Sequence, residues 1–164
     1  MSDESEKLPG ENLPIEIFSD GACSNGYDGK NSCVGHGPGG WGIIIKYQGK
    51  ELEFIGGEPD TTNQRMEIAG LTQCIPYILS QGYKNIHIIS DSQYVGHGIN
   101  GMNKWLKKKD VKNWDLWKPI FQSIITYNAK VTFTWVKGHN GHPENERCNT
   151  LAENYVKTNY ERIP

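Results

Sequence analysis

The chain has 164 residues, 36% hydrophobic and 22% charged, a length that suits one domain burying its own core. No apolar run approaches the ~20 residues that a membrane-spanning helix requires. Seventeen Lys and Arg against 19 Asp and Glu leave a net charge of -2, which excludes a global pull on nucleic acid and makes any such attraction local.

The start, MSDESEKLPGENLP, is acidic, carries Pro and Gly and lacks a signal-peptide core. It reads as a disordered lead-in (1–14) to one domain (15–160) with a short tail (161–164), and a cytoplasmic protein is expected. Cys23, Cys33, Cys74 and Cys148 form no C-x-x-C pair. That favours free thiols in a reducing compartment, with a Cys23–Cys33 bridge as the alternative.

IEIFSDG alternates Ile15 and Ile17 against the other face and predicts a strand ending at Asp20. Residues 21–40 are so rich in Gly and Asn that they read as a long loop. WGIIIKY, the turn QGK and ELEFIGG predict a hairpin, hence three antiparallel strands. From Thr62 to Ser80 the period becomes helical, with Thr62 or Asn63 as N-cap, a kink expected at Pro76 and Gly82 beyond the end. NIHIIS is a strand leading to Asp91, and a short helix starts at Ser92. GMNKWLKKKDVKNWDLWK reads as a basic helix-turn-helix stretch, followed by a helix through IFQSIITYN, the strand VTFTWV and a helix opening at Pro143. This order indicates an α/β domain with a mixed sheet covered by helices.

Asp20 and Asp91 both fall at the C-terminal ends of apolar strands, where open α/β sheets place their ligand crevice. Each could instead cap the following turn. Glu67 lies in the apolar stripe of Leu71, Cys74 and Ile78, and a buried unpaired carboxylate there costs several kcal/mol unless it is neutralised, paired or metal-bound. An ion pair with Arg65 is one escape. Three acids converging on one crevice repel unless divalent cations neutralise them, and oxygen ligands suit Mg²⁺ or Mn²⁺. Such sites serve phosphoryl transfer, with two cations about 4 Å apart holding the attacking and leaving oxygens.

SDGA, TTNQRME, SDSQYV and WVKGHNGHPENERCNTLA, in this order, resemble type 1 ribonuclease H, the bacterial-like ribonuclease HI family, from about Ile15 to Val156. The resemblance implies a five-stranded mixed sheet flanked by helices, and an endonuclease that cuts the RNA strand of RNA/DNA hybrids with two Mg²⁺ ions, Mn²⁺ substituting. It leaves a 3′-hydroxyl and a 5′-phosphate. The implied catalytic residues are Asp20, Glu67, Asp91 and, in a loop, His139. The fourth family carboxylate falls on Asn149, an uncharged oxygen donor. Whether that exchange is natural or introduced, weaker holding of one metal and slower turnover are expected, and the alternative is a hybrid-binding protein with weakened or lost cleavage. Glu153, one turn on, could reach back, but a solvated surface glutamate is the expectation.

His139 and His142 form H-x-x-H without a second ligand pair, which argues against zinc. His139 fits an exposed acid or base and His142 a helix cap. Lys104, Lys107, Lys108, Lys109 and Lys112, interleaved with Trp105, Trp114 and Trp117, match the family's basic protrusion. The lysines and Trp105 are expected toward the DNA strand and Trp117 toward the core. The protrusion is shorter than in some relatives, with Gly101 where they carry an aromatic. Asn63, Gln64 and Gln93 match groove-contacting positions that sense 2′-hydroxyls, and Thr62 a DNA-phosphate contact. The first-loop asparagine of the family is assigned to neither Asn25 nor Asn31. The implied partner is an RNA/DNA hybrid, met by a monomer with no membrane association.

Overall fold

A computed structural model describes residues 13–23, 37–138 and 141–160. The expectations placed on residues 1–12, on the Cys23–Cys33 bridge, on Asn25 and Asn31, on His139 and on residues 161–164 lie outside the described residues.

The strands are β1 (Ile15–Cys23), β2 (Gly37–Tyr47), β3 (Lys50–Thr61), β4 (Asn85–Ser90) and β5 (Lys130–Trp135). They form one sheet in the order β3-β2-β1-β4-β5. The hairpin side is antiparallel, and β1, β4 and β5 run parallel, as their helical crossovers require. Alternation along β1 sends Ile17 to one face and Phe18 to the other, where each joins a separate apolar cluster.

The helices are α1 (Asn63–Ser80), α2 (Gln93–Asn100), α3 (Met102–Trp105), α4 (Trp114–Thr126) and α5 (Pro143–Asn159). The larger cluster sits between the sheet and α1, α2 and α4, where Ile68, Leu71, Ile75, Trp117 and Phe121 are fully buried. The smaller one joins Phe18, Ile44 and Ile89 to Cys148 of α5. Each large aliphatic or aromatic side chain so enclosed contributes about 1.5–3 kcal/mol. Among the described residues no helix is long and apolar enough to cross a membrane.

One expectation is corrected. Part of the segment read as a loop is strand: β1 continues past Asp20, and Gly21, Ala22 and Cys23 pair with Trp41, Gly40 and Gly39. The glycines serve close approach here rather than turning. A Cβ on Gly42 would stand 2.5 Å from the Cys148 carbonyl oxygen, so α5 rests directly on β2. The stretch read as helix-turn-helix holds α3, a single turn, and the opening of α4, joined by an irregular connection that carries Lys107, Lys108, Lys109 and Lys112. Its Asn113 adopts a left-handed backbone (φ 60°) to enter α4.

The helix starts agree with their caps. Thr62 accepts from the Arg65 N–H (3.2 Å) at the head of α1, and α1 continues through Pro76 to Ser80. His142 Nδ1 accepts from the Asn145 N–H (3.3 Å) at the head of α5, the capping role expected of it.

Candidate active site

Strand register brings the acids together. Ser19 of β1 pairs in parallel with Ser90 of β4, so the next residues, Asp20 and Asp91, lie side by side where the two central strands cease to pair. Gly21 completes the arrangement. A Cβ there would stand 2.5 Å from the Met66 backbone carbon and 2.6 Å from the Glu67 nitrogen, so α1 lies against β1 where Glu67 projects.

Asp20 is buried, with the Gly21 N–H donating to Oδ1 at 2.8 Å. Burial pushes its carboxyl up to about 8, the adjacent Asp91 charge pushes the same way, and Glu67 and Glu153 add less. Glu67 is half-buried and likewise raised, first by burial and then by Asp91, against the hydroxyl of Ser92 that donates to Oε2 at 2.7 Å. The ion pair with Arg65 considered for Glu67 does not form, because Arg65 pairs with Asp115 and Glu58. Trp135 Nε1 donates to the Asp91 carbonyl (3.0 Å), and Gly138 leaves room for the Asp91 carboxylate, which a Cβ there would meet at 2.6 Å.

Asn149 is half-buried on α5, one residue after Cys148, whose thiol donates to the Phe18 carbonyl of β1 (3.3 Å). Its Nδ2 donates to Glu153 Oε1 at 3.3 Å. Glu153 is exposed, as expected, yet it is also bonded to Asn149 and within Coulombic reach of Asp20.

The donors suit a hard divalent cation: they are carboxylate and amide oxygens, and their mutual repulsion is what an added cation relieves. They are not a closed cage. Among the described residues no three His, Cys, Asp or Glu side chains enclose an ion-sized space.

Around the acids, Asn63 and Gln93 are exposed on the first turns of α1 and α2, and the Gln64 amide oxygen is buried without a hydrogen-bond partner among the described residues. The Thr62 hydroxyl is engaged as a cap. Lys104, Lys107, Lys108, Lys109 and Lys112 are exposed. Trp117 is fully buried, and Trp105 is half-buried, edge-on to Trp117 with centroids 5.3 Å apart and tilted against Tyr94. Sequence reasoning did not single out Ser92 as the partner of Glu67, nor Trp135 as the partner of Asp91. The first carried a signal, since a serine at a helix start is already an N-cap candidate.

The RNase H family model matches residues 12–157. A ribonuclease H of Sulfurovum sp. (strain NBC37-1) is 40% identical over 85% of this chain and 88% of that protein. One of Hahella chejuensis (strain KCTC 2396) is 42% identical over 87% and 93%. Among solved structures, LC9-RNase H1, described as a type 1 RNase H with the type 2 active-site motif, superposes with a TM-score of 0.71 at 26% identity over 93% of this chain and 75% of that one. LC11-RNase H1 in complex with RNA/DNA hybrid shares the fold (TM-score 0.62, 18% identity, 85% and 94% covered). The chain belongs to the RNase H family.

Proposed function

We propose that this protein hydrolyses the RNA strand of RNA/DNA hybrids, using Asp20, Glu67, Asp91 and Asn149 as oxygen donors to divalent cations. The observation that carries the reading is the convergence of Asp20, Glu67 and Asp91 from β1, α1 and the end of β4, with Asp20 raised to about 8 by burial and its neighbours. Three acids held together against their own repulsion are a site for cations rather than a structural ion pair. Relatives named ribonuclease H and a solved relative bound to RNA/DNA hybrid support the substrate.

Divalent cations held by these residues would activate water and offset charge on the leaving oxygen. The chain's own residues supply the rest. Asp20, within Coulombic reach of Asp91 and Glu67, would offer its carboxylate to the cations, and Ser92 holds one Glu67 oxygen while the other would serve as ligand. Asn149 contributes a neutral amide oxygen, and its bond to Glu153 fixes the amide so that nitrogen faces Glu153 and oxygen is left for the cation. Glu153 returns to the vicinity part of the negative charge that an asparagine lacks. A type 1 RNase H described with the type 2 active-site motif supports the view that this scaffold works with more than one set of donors. His139 is the proposed proton carrier. Asn63, Gln64 and Gln93 are the proposed groove contacts. Thr62, Trp105, Lys107, Lys108 and Lys109 are the proposed contacts to the DNA strand. The domain at work is residues 15–160, acting as a monomer.

The test is cleavage of a labelled RNA/DNA hybrid, with duplex DNA and duplex RNA as controls, in Mg²⁺ or Mn²⁺. The native chain should cut the hybrid alone, and Asn149→Asp should cut about tenfold faster at low cation concentration, through the added ligand charge. Hybrid binding without cutting, reversed by Asn149→Asp, would identify a hybrid-binding protein instead. No hybrid cutting in either form would reject the enzymatic reading.

A further inference from the structure

Arg65 lies on the first turn of α1, between Gln64 and Met66, and its guanidinium joins three elements. Nη1 and Nη2 donate to Asp115 Oδ1 and Oδ2 at 2.9 and 2.8 Å, a two-bond fork that fixes direction as well as distance. Nη1 also reaches Asn113 Oδ1 (3.4 Å), and Nε stands 3.7 Å from Glu58 of β3. Asn113 passes the connection on: its Nδ2 donates to the Tyr94 hydroxyl of α2 at 3.1 Å. That hydroxyl also accepts from Trp117 Nε1 (3.1 Å) and donates to the Lys112 carbonyl (3.3 Å). The network thus ties the first turns of α1 and α2, which carry Asn63, Gln64, Glu67 and Gln93, to the C-terminal end of the irregular lysine segment.

We propose that Arg65 and Asp115 are positioning residues that set the register between the lysine segment and the acids, so that a hybrid held by one strand presents the other to the crevice. The inference rests on the reading of the lysine segment as a hybrid contact. Folding alone does not account for the fork, since an ion pair exposed on one side adds little to stability, and the Asp115 side chain is 63% exposed. From Lys107 to Lys112 the backbone forms no helix, so the lysines are placed by the points where the segment is fastened: the Lys107 and Lys108 N–H groups on the Lys104 and Trp105 carbonyls, and Val111 against the core. Asp115, Asn113 and Tyr94 are the fastenings at its far end.

The experiment measures binding of a fluorescent RNA/DNA hybrid by anisotropy in EDTA, so that catalysis plays no part. Asp115→Asn should weaken binding about fivefold, Asp115→Glu should recover most of that, and Arg65→Lys, which keeps the charge but loses the fork, should fall between. In a background with Lys104, Lys107, Lys108, Lys109 and Lys112 changed to alanine, Asp115→Asn should have no further effect. Unchanged affinity in Asp115→Asn and Arg65→Lys, or an equal loss in both backgrounds, overturns the proposal while leaving the lysine reading intact. If neutralising the lysines by itself changes neither affinity nor salt dependence, the lysine reading falls and the proposal falls with it.

Discussion

The acid crevice and the lysine segment both concentrate one sign of charge, and they are built in opposite ways. The acids sit on regular elements or directly after one, brought together by strand register and a glycine contact, half or more buried, with Asp20 and Glu67 raised by burial and by Asp91. Apart from Lys104 on α3, the lysines sit on irregular chain in open solvent, fastened by Trp105, by Val111 against the core, and by Asn113 and Asp115. Water screens the second group at little cost and cannot screen the first. The buried charges therefore demand a partner at short range, and the exposed ones offer attraction at long range.

The comparison breaks most visibly at Asp20. Asp20→Asn should lower hybrid cleavage roughly a thousandfold, equivalent to about 4 kcal/mol of transition-state stabilisation. It should also stabilise the cation-free protein. Asp20 ionises near 4 in the unfolded chain and at about 8 when folded, so the unfolded state holds fewer protons between those values. The contribution of Asp20 to stability is complete below pH 4 and is lost as pH rises toward 8. The amide does not titrate, so at pH 9 without cations the variant should melt about 5 °C above the native chain, and at pH 4 the gap should close. A thermal scan showing no gap at pH 9 would remove the case for a repelled, buried charge.

Gly21→Ala forces a methyl group into the backbone at Met66 and Glu67. It should cost about 1–3 kcal/mol by denaturant titration and depress cleavage, because β1 and α1 must part where their acids meet. Ser92→Ala removes a helix cap and the hydrogen bond to Glu67 together. A loss of about 1 kcal/mol in stability is expected, with a few-fold weaker cation affinity by calorimetry, and Ser92→Thr should retain both. An unchanged cation affinity in Ser92→Ala would show that the serine serves the helix alone. The smallest effect belongs to the exposed side: Lys108→Ala should reduce the slope of hybrid affinity against salt by about 1 on logarithmic axes. A steeper change would mean that Lys108 acts on more than one phosphate.

Much of this was legible in the sequence, and the misses share a cause. Element order, Thr62 and His142 as caps, the strand positions of Asp20 and Asp91 and the inward setting of Trp117 all follow from local periodicity and capping chemistry, which the fold leaves undisturbed. Glycines misled at Gly21 and at Gly37 to Gly40, because composition alone does not tell a turn from a strand against which a helix backbone must lie. The helix-turn-helix reading of the lysine stretch holds, with a first helix of one turn and a connection that ends in the left-handed Asn113. The partners of Glu67, Asp91 and Arg65 are 25, 44 and 50 residues away along the chain, beyond the reach of any local pattern.

The contact of α5 with β2 bears on the asparagine at position 149. Where Gly40 and Gly42 meet the carbonyls of Ala152 and Cys148, main-chain atoms of a helix lie directly on main-chain atoms of a strand, with no side chain between them as a spacer. The seat of residue 149 is therefore set by parts of the molecule that no ordinary substitution at 149 alters. Asparagine and aspartate differ there as two lenses do in one fixed mount: the optics change and the alignment stays. Charge at that position can therefore be exchanged without rebuilding the fold around it.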